Sequence, residues 1–176
     1  MRLEAGFYQR DVLEVAPELL GKTIVRVTAN GEVRRGRITE VEAYRGEEDT
    51  ACHARAGRTK RTEPLYHAGG CAYVYLCYGI HHLMNVVTGP EGLPQAALIR
   101  GLVGVPGPGR AAKALGVTLA DNRTDLTSSS ALWLEDDGYR PASIETTPRI
   151  GIGYASPEDQ ARLWRYVDRD GIKRFR

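Results

Sequence analysis

The segment that most constrains the fold is "KTIVRVTANGEVRRGRITEVEAY", residues 22–44, in which Asn30-Gly31 separates two runs rich in β-branched residues. Asn-Gly tolerates the positive φ of a tight turn, so a long β-hairpin is predicted. A second hairpin is predicted over "CAYVYLCYGIHHLMNVVTG", residues 71–89, turning at Gly79–Ile80 so that Tyr78 opposes His81 and Val74 opposes Asn85. "QAALIRGL" reads as a further strand, and "RIGIGYA" and "RLWRYV" read as closing strands. Helices are fewer: "DVLEVAPELLG", with Asp11 as N-cap and Gly21 as terminator, and "GPGRAAKALG" behind its glycines. Hairpins dominate over βαβ units. The expected class is therefore α+β: one domain over residues 1–176, with a curved antiparallel or mixed β-sheet, a protruding β-hairpin and flanking helices. Residues 45–70 carry much charge and few apolar side chains, which predicts a long surface loop of the kind that is usually functional.

Composition removes several classes. A hydrophobic fraction of 42% and a charged fraction of 26% are those of an ordinary globular protein. Arg100 interrupts the best apolar run, "AALIRGLVGV", so no membrane span is expected, and the N-terminus lacks a signal-peptide core. Three cysteines without dense spacing point to reduced thiols and a cytoplasmic location. The net charge is only +2, but of 24 basic residues just 4 are lysine (Lys22, Lys60, Lys113, Lys173). The arginine fork suits phosphate, which a nucleic-acid partner would exploit; arginine-rich codon usage gives the same count. No zinc-ligand spacing, Walker loop or Gly-x-Ser-x-Gly elbow is present, and neither metal nor cofactor is expected.

The chemically unusual stretch is "RITEVEAYRGEEDTACH". Strand alternation puts Ile38, Glu40, Glu42 and Tyr44 on one face and Thr39, Val41 and Ala43 on the other. Two glutamates on one strand face repel or recruit cations, and Arg34, Arg35, Arg37 and Arg100 are available. The residues alone leave two readings open: a solvated face stitched by ion pairs, or a general base that activates water. Tyr78, just before a hairpin turn, has little sheet to pack against and is suited to fill the gap left by an extruded base. Arg55, Arg58, Lys60 and Arg61 form a basic run that is either a solvated face or a phosphate-contacting rim.

Taken together, "LLGKTIVR", "GRITEVEAYRGEEDTACHA", "YVYLCYGIHHLMNVV", "ALIRGL", "GPGRAAKALG" and "RIGIGYA" resemble, in that order, the alkyladenine (3-methyladenine) DNA glycosylase family of mammalian type. The resemblance runs from about Leu19 to about Val167. It implies a single α+β domain and a metal-free, monofunctional enzyme of base excision repair. Such an enzyme acts as a monomer on double-stranded DNA, flips damaged purines and cuts the N-glycosidic bond with water. For a bacterial-type chain it implies work at the nucleoid.

By the same resemblance Glu42 is the water-activating base, Arg100 helps to hold Glu42 and the water, and the Ile150 carbonyl touches the water. Tyr44, His53 and Tyr75 wall the base pocket, and Asn85 obstructs guanine's 2-amino group. Tyr78 is the intercalating wedge. Arg55, Arg58, Lys60, Arg61 and His81 are candidates for backbone contact; His81 stands where family members often carry another aromatic. Parity does not choose between Glu40 and Glu42; the resemblance chooses Glu42. Ring alkylation makes purines cationic, so electron-rich aromatic walls are expected to attract them by roughly 0.5–2 kcal/mol per contact. Two rival functions are a noncatalytic nucleic-acid-binding module and a small-molecule nucleoside hydrolase.

Overall fold

The Asn30-Gly31 turn forms where the sequence places it. In the computed structural model, which describes residues 1–174, Gly31 takes φ +84° and Val27 pairs with Val33 across the turn. The turn joins β1 (Thr23–Val27) to β2 (Val33–Arg45). β3 (Ala72–Cys77), β4 (His81–Thr88) and β5 (Gln95–Leu102) follow, with short strands β6 (Val105–Pro106), β7 (Leu132–Glu135), β8 (Glu145–Thr147) and β9 (Arg165–Val167). All of these pair antiparallel in one curled sheet, ordered β3-β4-β5-β2-β1-β7, with β9 also on β2 and β6 on β5. The 13-residue β2 is the spine: its first half pairs with β1 and its second half with β5 and β9.

Helices α1 (Ala5–Tyr8), α2 (Val12–Leu19), α3 (Pro108–Leu115), α4 (Pro157–Ala161) and α5 (Arg169–Arg174) flank the sheet. Asp11 caps α2 by accepting from the Leu13 N–H at 2.9 Å. Among the described residues no helix is long and apolar enough to cross a membrane.

The period-2 pattern of the central strands builds two different faces. Val41, Ala43, Val74, Met84, Val86, Ala97 and Ile99 join Val12, Val15, Ala16 and Leu19 of α2 and Ala111, Ala112 and Leu115 of α3 in the main core. At roughly 1.5–3 kcal/mol per large apolar side chain buried, this layer holds the sheet's curvature. Tyr73, Val87 and Ala96 point the other way and pack, with Tyr44 and Tyr75 beside them, against Cys52, Ala54, Leu65 and Tyr66. Residues 45–70 are thus not the expected surface loop. Two short 3₁₀ helices, His53–Ala56 and Glu63–Tyr66, fold over the sheet, and their few apolar residues are spent on a second small core.

Three further expectations are corrected. The β3–β4 register is Cys77 opposite His81 and Tyr73 opposite Asn85, one residue from the predicted pairing. Tyr78 (φ +51°) and Gly79 (φ +67°) both adopt positive φ, so the connection takes three residues rather than two. Tyr78 therefore leaves the ladder and is 90% exposed at the tip of the hairpin. Parity in β2 also breaks. Thr39 is an extra residue between the Ile38–Leu102 and Glu40–Gly101 pairs, and Ile38 joins the main core with Val41 rather than sharing the face of Glu40. Finally, residues 149–155 ("RIGIGYA") are turns, not a strand, whereas "RLWRYV" does contain β9.

Candidate active site

The corrected register lines up Tyr73, Asn85, Leu98, Glu42 and Arg165 as successive partners across β3, β4, β5, β2 and β9. Residues paired in one row share a face, so Asn85 and Glu42 are brought to the same side of the sheet. On that side lies a cleft with about 340 Å³ of empty space, lined by Tyr44, Ala51, Cys52, His53, Leu65, Tyr73, Tyr75, Asn85, Ala96 and Tyr154. A lining this rich in aromatic rings suits one planar ring system rather than a length of polynucleotide.

Glu42 sits beneath the Tyr44 edge of this cleft with its side chain fully buried. The Tyr44 hydroxyl donates to Oε1 at 2.9 Å, the Ile150 N–H donates to Oε2 at 2.6 Å, and Arg100 Nη1 lies 3.5 Å from Oε1. Burial raises its pKa above the usual glutamate value; Arg100, the Ile150 N–H and the Tyr44 hydroxyl pull the other way. Glu40, the other glutamate of β2, is held differently. Glu40 Oε1 is held by Arg165 Nε at 2.6 Å and by Arg100 Nε at 3.1 Å, so it is the ion-paired strand glutamate. Glu42 has only the far edge of the same Arg100 and is the desolvated one. Arg100 reaches both because it is the extra residue of β5 between the Glu40–Gly101 and Val41–Ile99 pairs. Bulges next to functional sites commonly re-aim a side chain in this way.

The other sequence-predicted residues divide. Tyr44, His53, Tyr75 and Asn85 all line the cleft. His53 Nδ1 is 2.9 Å from the Tyr73 hydroxyl, and its ring meets Tyr75 edge-on at 4.6 Å. Burial first, then Arg61 and Arg55, push its pKa down to about 4, so the imidazole is neutral at neutral pH. Asn85 Nδ2 donates to the Tyr73 carbonyl at 3.1 Å; a carbonyl only accepts, so that bond fixes which end of the amide is nitrogen. Ile150 meets Glu42 through its N–H. Arg58 pairs with Glu63 at 3.2 Å; Arg55, Lys60, Arg61 and His81 are exposed, with Arg55 and Arg61 also lying over the Tyr154 and Tyr75 rings.

Sequence reasoning missed the support for this site. Arg149 is buried and grips Asp49 with both ends of its fork, at 2.7 and 2.9 Å. It also donates to the Ala43 carbonyl at 2.9 Å and stands between the Tyr44 and Trp164 rings, at 4.8 and 5.0 Å. Arg149 thereby fixes the turn that presents the Ile150 N–H. Tyr154, which donates to the Ala51 carbonyl at 2.7 Å, closes the cleft. The available signal was Gly151 and Gly153 within "RIGIG": alternate glycines fit a backbone that turns toward a ligand better than a packed strand.

The model of the methylpurine-DNA glycosylase family matches residues 6–106 and 104–171. A relative from Anaeromyxobacter dehalogenans named "putative 3-methyladenine DNA glycosylase" is 46% identical over 95% of this chain and 83% of its own length. Relatives of the same name from Nitrosococcus oceani and Methanocella arvoryzae are 44% and 41% identical, over 93% and 96% of this chain and 88% and 92% of theirs. The chain belongs to the methylpurine-DNA glycosylase family and is a DNA glycosylase of base excision repair.

Proposed function

We propose that this DNA glycosylase takes damaged purines, 3-methyladenine first and 7-methylguanine, hypoxanthine and ethenoadenine within its range, out of double-stranded DNA into the tyrosine-lined cleft. Glu42 then takes a proton from a water, the water oxygen attacks the sugar's anomeric carbon, and the base departs with the electrons of the glycosidic bond. The observation that carries this reading is Glu42 itself. A fully buried carboxylate costs several kcal/mol unless compensated, and here three donors hold it beside an aromatic cleft. A raised pKa brings its basicity toward the working pH, as a general base requires. Tyr78, exposed at the hairpin tip, is placed to fill the stack left by the flipped base, a step that costs a few kcal/mol. Arg58, Lys60 and His81 are assigned to the phosphate backbone. One copy holds every group the reaction uses, which supports action as a monomer.

The expected result is release of free base from a duplex carrying a single 3-methyladenine, 7-methylguanine, hypoxanthine or ethenoadenine. No lysine is among the residues lining the cleft, so borohydride should trap no protein–DNA adduct. Binding without release would instead make the chain a nucleic-acid-binding module, and turnover of free nucleosides would make it a nucleoside hydrolase.

Asn85 is proposed as the gate against guanine. Its amide is tied to the sheet at Tyr73, in the row that contains Glu42, and cannot swing aside without losing that bond. Asn85→Ser should raise release of guanine-type bases relative to adenine-type bases, by roughly tenfold if one steric clash of 1–2 kcal/mol is relieved. An unchanged guanine-to-adenine ratio in competition assays would remove the gate.

A further inference from the structure

Glu40 and Glu42 share one guanidinium. Arg100 Nε lies 3.1 Å from Glu40 Oε1, and Arg100 Nη1 lies 3.5 Å from Glu42 Oε1. Arg165 completes the group: its Nε donates to the same Glu40 oxygen at 2.6 Å, and its Nη1 donates to Thr147 Oγ1 at 2.9 Å. Two carboxylates and two guanidiniums thus meet here, none more than 15% exposed in its side chain. Arg165 stands opposite Glu42 in the β2–β9 register, but its fork turns to Glu40 and Thr147.

The other charged and titratable groups that act on Glu42 are already occupied. Tyr44 donates to it, and Arg149 is paired with Asp49. Beside Glu40, Arg169 of α5 is paired with Glu145. The balance of charge between the two glutamates therefore rests on Arg100 and Arg165. Without Arg165, both glutamates would compete for Arg100, and two carboxylates that share one cation do not both ionise readily. Arg100 already makes its closer contact with Glu40 and would be drawn further toward it. Glu42, shut off from solvent, is the carboxyl that would take up a proton first. Arg100 favours the charged form of Glu42 and Glu40 opposes it, in keeping with that order.

We propose that Arg165 is a positioning residue for base release: by holding Glu40, it leaves the far edge of Arg100 to Glu42. This rests on the reading of Glu42 as the general base. The test is the pH dependence of single-turnover release from duplexes carrying hypoxanthine or 7-methylguanine, each rate divided by the same variant's rate on its high-pH plateau. At the pH where the parent is half-maximal, Arg165→Gln should be slower on that scale by about twofold to fivefold. Arg165→Lys, which keeps the charge, should recover most of the difference. Glu40→Gln should move the acid limb to lower pH, and adding Arg165→Gln to it should move nothing further. Thr147→Val removes only the other contact of Arg165 and should leave the limb in place.

An Arg165→Gln profile that is uniformly lower but unshifted would make Arg165 a structural residue and overturn the inference. A matching shift in Thr147→Val would overturn it too, because the effect would then run through the turn that carries Ile150. Should Arg165→Gln fail to fold, Glu40→Gln still decides: a limb that stayed or rose would sink the proposal. A parent that released no base, or released it without an acid limb, would end the general-base reading and the inference with it. A parent with an acid limb that Arg165→Gln did not move would end the inference alone.

Discussion

Glu42→Gln is expected to lower single-turnover base release by about 10²–10⁴-fold, the usual contribution of a positioned general base, while leaving affinity for lesion DNA nearly unchanged. The amide keeps the size of the carboxylate and one oxygen for the Ile150 N–H, but it cannot take a proton from water. Glu40→Gln should cost far less, because Glu40 spends its charge on Arg100 and Arg165. The pH profile adds a second check. Protonation of Glu42 blocks the base, so release by the parent should fall as pH drops through the carboxyl's pKa. Because that pKa is raised, the acid limb should lie above the value of an ordinary glutamate. A dead Glu40→Gln beside an active Glu42→Gln would reverse the assignment.

The second large effect is on stability. Arg149→Met should destabilise the fold by about 3–5 kcal/mol, the cost of breaking a buried ion pair from one side, because the buried Asp49 carboxyl loses both guanidinium contacts. The Ala43 carbonyl would lose a donor at the same time. Urea titration of the parent, Arg149→Met, Asp49→Asn and the double variant gives the coupling directly. Asp49→Asn removes the unpaired carboxylate and its one amide oxygen still accepts one of the two N–H donors of Arg45 and Ala51, so the double variant should recover part of the loss. A loss below 1 kcal/mol in Arg149→Met would mean that the pair is not what anchors the Ile150 turn.

Much of the scaffold was legible because it rests on period-2 patterning and turn chemistry, both local. Asn30-Gly31 announces its hairpin, Asp11 its cap, and Tyr73 and Tyr75 their common face. The one-residue error in the β3–β4 register had a local remedy: pairing Val74 with Asn85 would put a core aliphatic and a cleft amide on one face, and the alternation of Val74, Met84 and Val86 excludes it. Other features were not local. The bulges at Thr39 and Arg100 arise from β2 changing partners partway along its length. The burial of Asp49 depends on Arg149, 100 residues away, and no periodicity links the two. Residues 45–70 look like solvent-facing chain because their apolar residues are few; those few converge only once the strands supply a surface for them.

The two-faced sheet also dictates where this lineage can gain or lose residues. β3, β4 and β5 serve the main core with one set of side chains and the cleft with the alternate set. An insertion of one residue within any of them that no bulge absorbed would exchange the two sets beyond that point, turning tyrosine into the helix layer and valine into the cleft. Stability and activity would be lost in a single step, with no intermediate for selection to refine. Length variation is free only past the last paired residues, as at the three-residue tip between Cys77 and His81. With Tyr78 as the proposed wedge, that tip is where the chain would meet the double helix, so changes in how the enzyme grips DNA could accumulate there without disturbing the chemistry beneath.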